Sequence, residues 1–233
     1  MEKPALVFLH GWQQDHHTWD RIITGLKNQY QCLAPDLPGF GQEKLSNKNW
    51  GITEYAKWVN DFSEKNKLES YVLIGHSFGG RIATVIAKNN PKVSKLILYA
   101  TPAIKQPLSW PQKFRSALIE AIKKSGLPKD KIPFYPIIAD KFRSEDRRKA
   151  GPLTTVFENT INFDLRPYLI DIKQPTLLIW GEDDSVVPIS VGNEILRMVR
   201  GATLKIIPNG SHFAHLDNPE LFCGIIRSWI GIK

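Results

Sequence analysis

The chain has 233 residues, 42% hydrophobic and 23% charged, enough for one substantial α/β core near the upper size of a single domain. Its 16 glycines and 16 prolines fall into no repeat, which excludes collagen-like, low-complexity and solenoid architectures. The formal net charge of +8 suits an anionic partner, but no nucleic-acid motif accompanies it, so nucleic-acid binding is not expected.

In chain order, residues 5–10 (ALVFLH) form the first predicted strand. Their apolar run is far too short for a secretory leader or a membrane span, so the cytoplasm is the expected location. Trp19, Ile22, Ile23 and Leu26 then recur at helical spacing over 17–28. A weaker strand at 30–34 runs into Asp36-Leu37-Pro38-Gly39-Phe40-Gly41, a loop rich in breakers. Ile52, Tyr55, Ala56, Val59 and Phe62 share one face of a helix over 52–66. A strand at 71–75 is followed by a helical pattern with Ile82, Val85 and Ile86, and another strand at 95–100.

The alternation breaks between Thr101 and Asp171. That insert is rich in proline and shows helical stretches at 112–124 and 153–161, with no convincing strand. A structureless loop of that length is improbable in a compact protein, so the insert is predicted to be a helical cap over one end of the sheet. Strands at 176–180 and 203–207 and helices over 189–199 and 220–230 complete the pattern. The predicted fold is α/β: a mostly parallel six-stranded sheet flanked by helices, with residues 1–101 and 171–233 as core and 102–170 as cap. Cys32 and Cys223 have no metal or redox spacing and are expected to be buried free thiols.

The sharpest signal is Gly75-His76-Ser77-Phe78-Gly79, a G-x-S-x-G between an apolar strand and a helix. A serine on so abrupt a turn has a strained backbone, and side chains two residues away on either side would collide; glycine at 75 and 79 removes them. The turn exposes the Ser77 hydroxyl and sets the Phe78 amide at a helix start, where developing negative charge is welcome. The expected base is His212, in the loop after the last strand. His76 lies within the turn but points elsewhere, and His215 is expected to pack on the following helix start. A third group must fix the tautomer of the base and steady its cation. After strand 176–180 come Glu182, Asp183 and Asp184; Asp184 is preferred, with Asp183 its main competitor. A second oxyanion donor is expected in His10-Gly11-Trp12, from the Trp12 amide, since Gly11 permits close approach.

These segments resemble the α/β-hydrolase superfamily, in particular its small esterase-like branch with a helical cap. The matching pieces are VFLHGW at 7–12, DLPGFG at 36–41, VLIGHSFGG at 72–80, LLIWGEDDSVVP at 177–188 and GSHFAHLDNPE at 210–220, in the family's order. The resemblance implies a Ser-Asp-His triad. It places the acid three residues after Gly181 and four before Pro188, which selects Asp184, and the base seven residues before Pro219, which selects His212. It implies oxyanion amides at Trp12 and Phe78, and a chain that starts at the family's third strand. One departure is Ser211, where the family often has glycine.

The reaction so implied is acyl transfer to water from a carboxylic ester, with no metal or organic cofactor. The expected substrate contacts are His10, Gly11, Arg81, Trp110, Phe142 and Phe213. For Arg81 the plainer reading is a structural ion pair or hydrogen bond. Residues 105–166 carry thirteen Lys or Arg against seven Asp or Glu. A solvated basic surface explains this most simply; an anionic ester, or an acyl group on an acidic carrier protein, is the sharper reading. Carbon–carbon bond hydrolysis of a vinylogous diketone acid, thioesterase or lyase chemistry, and a ligand receptor on the same scaffold are the competing readings. Oligomeric state is not legible.

Overall fold

The computed structural model describes residues 3–104 and 150–231. Six strands form one sheet: β1 (Ala5–Leu9), β2 (Gln31–Leu33), β3 (Tyr71–His76), β4 (Val93–Tyr99), β5 (Thr176–Gly181) and β6 (Thr203–Ile207). Their spatial order is β2-β1-β3-β4-β5-β6, and every neighbouring pair is parallel. The described helices are α1 (Asp20–Leu26), α2 (Ile52–Lys65), α3 (Phe78–Asn89), α4 (Thr154–Asn162), α5 (Arg166–Leu169), α6 (Ile189–Met198), α7 (Ala214–Asp217) and α8 (Pro219–Ile230).

Side chains alternate along a strand, and a sheet covered on both faces needs apolar residues at both phases. The central strands meet that requirement. Leu73, Leu98, Leu178 and Trp180 enter one core with Tyr55 and Val59 of α2, Ile82 of α3 and Ile195 of α6. Val72, Ile74, Ile97, Leu177 and Ile179 enter the other with Ile22 and Leu26 of α1 and Phe222 and Ile226 of α8. This two-sided burial is why these segments read as continuous apolar runs.

The edges differ from the expectation of full coverage. In β6, Lys205 is exposed and Ile206 keeps 47% of its surface in solvent, because no strand lies beyond it. At the other edge β2 is only three residues long. The helix expected over 17–28 is divided: a 3-10 turn, His16–Trp19, is capped by Asp15, whose side chain accepts from the His17 amide at 3.0 Å, and α1 follows. At α8, Pro219 occupies the first turn, Asn218 Oδ1 accepts from the Leu221 amide at 3.1 Å, and Gly231 ends the helix at φ 81°.

Between β4 and β5 the described part of the insert is helical, comprising a 3-10 turn (Gly151–Leu153), α4 and α5. The helix predicted over 112–124 lies outside the described residues, as do Trp110, Phe142 and the basic run from Lys141 to Lys149. Among the described residues no helix is long and apolar enough to cross a membrane. Cys223 is buried, Cys32 is half-buried, and both are free thiols.

Leu98 of β4 is fully buried beneath α3 in the larger core. Leu98→Ala is expected to cost about 2–5 kcal/mol of stability through lost burial and a residual cavity. A lowered urea midpoint at unchanged m-value is the check; an unchanged midpoint would show that the core is not packed as described.

Candidate active site

Because all strands are parallel, the loops after β1, β3, β5 and β6 emerge at one edge of the sheet. In such folds that edge is where ligands bind. The turn after β3 is the most constrained of them. Ser77 has φ 48° and ψ −110°, a conformation that side-chain-bearing residues rarely hold. A Cβ on Gly75 would stand 2.5 Å from the Gly79 carbonyl oxygen, and one on Gly79 would stand 2.4 Å from that of Leu9. The conformation is held from several sides: the Ser77 amide donates to Tyr99 O at 2.9 Å, the Arg81 amide to Ser77 O at 3.2 Å, and the Gly79 amide to His10 O at 3.1 Å. Ser77 is half-exposed, and its hydroxyl makes no hydrogen bond to another described residue.

The loops after β5 and β6 bring Asp184 and His212 together. His212 Nδ1 lies 2.8 Å from Asp184 Oδ2, and both side chains are buried. The other carboxylate oxygen accepts the amides of Val186 and Val187 at 2.9 and 2.8 Å, which leaves the carboxylate one orientation. Asp183 and Glu182 are exposed; Glu182 accepts the Asn209 amide. The two loops touch tightly, since a Cβ on Gly181 would fall 2.2 Å from Ser211 O. The hydroxyl of Ser211 is bonded to Asp217 at 2.6 Å, which ties it to the last residue of α7.

His212 and the serine turn are joined through the neighbouring residue. His76 Nε2 lies 3.0 Å from His212 O, and the two rings are 4.8 Å apart. The loop after β1 completes the rim. Neither the Trp12 nor the Phe78 amide donates a hydrogen bond to another described residue. The Trp12 ring packs edge-on against Phe40 and Phe78, at 5.0 and 5.3 Å, and against Phe157 of α4 at 5.0 Å, giving an apolar aromatic wall.

His10 is fully buried: Nε2 accepts the Leu37 amide at 2.9 Å, so Nδ1 carries the proton toward Gly11 O at 2.8 Å. Gly11 donates its amide to Gln14 Oε1 at 2.7 Å. Phe213 is 39% exposed, with its ring 5.3 Å from that of His212. Arg81 is buried, and its guanidinium donates to Pro102 O, to Thr160 O at 2.8 Å and to Phe163 O at 2.7 Å. Thr160 and Phe163 lie at the C-terminal end of α4, where carbonyls lack helical partners and a cation is favoured. Arg81 thereby ties the described end of the insert to the helix that follows Ser77. A neighbouring cleft of about 510 Å³ is lined by Arg81, Pro102, Phe163, Asp164 and Arg166, and by none of Ser77, Asp184 or His212.

Asp15, His16 and Asp36 place three ligand-type atoms within 4.8 Å of one another. Asp36 already accepts from the His16 amide, the His16 ring and the Gln42 amide, so the cluster has a structural task in pinning the 36–42 loop. The sequence reading also overlooked Tyr99, whose hydroxyl donates to His212 O at 2.8 Å, and Gln14. A polar residue ending an otherwise apolar strand was the available signal at Tyr99.

The family model described as the alpha/beta hydrolase family matches residues 6–225, and the chain belongs to that family. It is 29% identical to a pimeloyl-(acyl-carrier protein) methyl ester esterase of Wigglesworthia glossinidia brevipalpis, covering 97% of this chain and 93% of that protein. It is 27% identical to a pyrrolizixenacetamide deacetylase of Xenorhabdus hominickii, over 97% and 91% of the two chains. The fold is shared with an enol-lactonase from Burkholderia xenovorans, at a TM-score of 0.76 and 20% identity, with 100% of this chain and 93% of that chain covered.

Burial pushes His76 and His215 toward their neutral forms: His76 well below the ordinary 6.5, with His215 and His212 adding to the effect, and His215 down to about 4. The unfolded chain takes up a proton on His215 near pH 6.5, which the folded chain refuses until about pH 4. Stability present above pH 6.5 is therefore lost as pH falls across that window, on the order of 3 kcal/mol from His215, with His76 acting in the same direction. Thermal melts are expected to show Tm declining from about pH 6.5 towards pH 4; a flat Tm would contradict the buried neutral assignment.

Proposed function

We propose that this protein is a serine-dependent carboxylic ester hydrolase in which Ser77 is the nucleophile, His212 the general base and Asp184 its orienting acid. The observation that carries this reading is the buried His212–Asp184 hydrogen bond at the same sheet edge as the strained Ser77 turn. Ser77 Oγ attacks the ester carbonyl carbon as His212 Nε2 takes the hydroxyl proton. Asp184, accepting from Nδ1–H, stabilises the imidazolium. The negative charge moves to the former carbonyl oxygen, where the amides of Trp12 and Phe78 serve as donors worth several kcal/mol to the transition state. Collapse of the intermediate breaks the bond to the alcohol, which leaves with the proton from His212. Water, deprotonated by the same base, then attacks the acyl-enzyme and releases the acid and free Ser77.

The aromatic wall of Trp12, Phe40, Phe78 and Phe157 suits an apolar acyl or alcohol group. In this reading residues 102–170 are the cap, and the described contacts of Phe157 and Arg81 support that role. The excess of basic residues over 105–166, together with kinship to an esterase named for a carrier-bound methyl ester, favours an ester bearing or attached to an anion. In this reading the protein acts in the cytoplasm.

Ser77→Ala is expected to lower p-nitrophenyl ester turnover by about 10⁴-fold or more with the melting transition retained. Asp184→Asn should lower kcat by roughly 10³–10⁴-fold, whereas Asp183→Asn should leave it near wild type. Turnover retained by folded Ser77→Ala, or the reverse ranking of the two aspartates, would overturn these roles.

A further inference from the structure

The strand β6 that delivers His212 is an exposed edge strand, and the loop after it is irregular. The bond from Asp184 orients the ring, but it does not fix the backbone that carries the ring. That backbone is held from beneath, through a chain of side chains with no part in the chemistry. Thr18 Oγ1 lies 3.0 Å from His215 Nε2, His215 Nδ1 lies 3.1 Å from the Tyr99 hydroxyl, and that hydroxyl lies 2.8 Å from His212 O.

With His215 neutral, only one arrangement of protons satisfies all three contacts. The His212 carbonyl can only accept, so the single Tyr99 hydroxyl proton points at it. Toward His215 that hydroxyl is then an acceptor, and His215 Nδ1 must carry the imidazole proton. Neutral His215 therefore offers the lone pair of Nε2 to the Thr18 hydroxyl. The backbone amide of His215 also points at the Tyr99 oxygen, at 3.3 Å, which reinforces its role as acceptor on that side. Tyr99 and His215 are fully buried, with Trp19 centred 4.9 Å from the His215 ring and Phe222 centred 5.0 Å from that of Tyr99. In such a dry setting reversing any one bond leaves a buried donor or acceptor unsatisfied.

His76 also approaches the His212 carbonyl, but its donation is divided. Its Nε2 faces His212 O at 3.0 Å while its Nδ1 faces Gln14 Oε1 at 3.1 Å, and that oxygen already accepts the Gly11 amide. A neutral imidazole has one proton for these two acceptors. Tyr99 is thus the donor whose proton has a single destination.

We propose that Tyr99 is a positioning residue for proton transfer: the one-way relay Thr18–His215–Tyr99 clamps the His212 carbonyl and so sets the imidazole between Asp184 and Ser77. The proposal rests on the reading of His212 as the base. A misplacement on the order of 1 Å in a proton-transfer group costs roughly 100-fold in rate, without a matching effect on ground-state binding.

The test compares wild type, Tyr99→Phe, Thr18→Val and the double variant, with Ser77→Ala as reference. The readouts are p-nitrophenyl butyrate kinetics, fluorophosphonate labelling of the serine, and melting curves. Tyr99→Phe is expected to lower kcat and the labelling rate together by about 10–100-fold, with KM within about twofold of wild type. Thr18→Val, which loosens the far end of the relay, is expected to lower kcat by about 2–5-fold. The double variant should fall no further than Tyr99→Phe alone, because the end of a relay is silent once its last link is cut. A folded Tyr99→Phe with wild-type kcat overturns the proposal, as does a change confined to KM or a double variant whose losses multiply. If Tyr99→Phe does not fold, the half-exposed Thr18→Val decides: unchanged kcat overturns the relay and a fall at constant KM supports it. Failure of the underlying reading has a separate signature, in which wild type and Ser77→Ala are labelled alike or not at all.

Discussion

The hydrogen bond between His212 Nδ1 and Asp184 Oδ2 is the contact around which the rest of the sheet edge is arranged. A buried carboxylate must have its lone pairs satisfied, or burial favours its neutral form. Asp184 meets that demand with two consecutive backbone amides on one oxygen and the imidazole on the other. The requirement propagates outward. The loop after β5 must turn back on itself to supply the amides, and Gly181 must lack a side chain so that the loop after β6 can lie against it. His212 is then presented to the serine turn with one ring nitrogen already engaged.

The serine turn supplies the complementary constraint. Ser77 is held in a strained conformation, of a kind that costs on the order of 1–3 kcal/mol, by bonds to β4 and to the loop after β1. The same bonds tie the start of α3 to β4 and to the His10 end of the loop that carries Trp12. Arg81, one turn along α3, reaches three carbonyls at the junction with the insert. No carboxylate among the described residues pairs with it at ion-pair distance, and burial lowers its pKa to about 10. A buried cation so placed couples the position of α4, and of Phe157 on the aromatic wall, to the helix that follows Ser77.

Much of this was legible in the amino-acid order because the relevant physics is local. Apolar runs of five or six residues mark strands buried on both faces, and glycines at 75 and 79 mark a turn with no room for Cβ atoms. The exposure of β6 was not legible, since an edge strand and a central strand of similar composition differ only in what lies beside them. Asp184 was preferred over Asp183 in the sequence, and burial separates them in the same sense: Asp183 faces solvent while Asp184 is enclosed beside His212. His215 was read as packing on a helix start; its role as acceptor for Thr18 and donor to Tyr99 depends on contacts across 197 and 116 residues of chain, which no local pattern encodes. Arg81 could be read as a substrate contact or as a structural anchor until its three carbonyl partners were known.

The decisive question is whether one atom of this rim becomes covalently bonded to an acyl-like electrophile in the orientation described. An X-ray structure of the protein inactivated with a p-nitrophenyl phosphonate tests this directly. Phosphorus is expected on Ser77 Oγ, with the phosphonyl oxygen about 3 Å from the amides of both Trp12 and Phe78 and His212 Nε2 within hydrogen-bonding reach of Oγ. Phosphorus on any other side chain, or a phosphonyl oxygen turned away from those two amides, would contradict it.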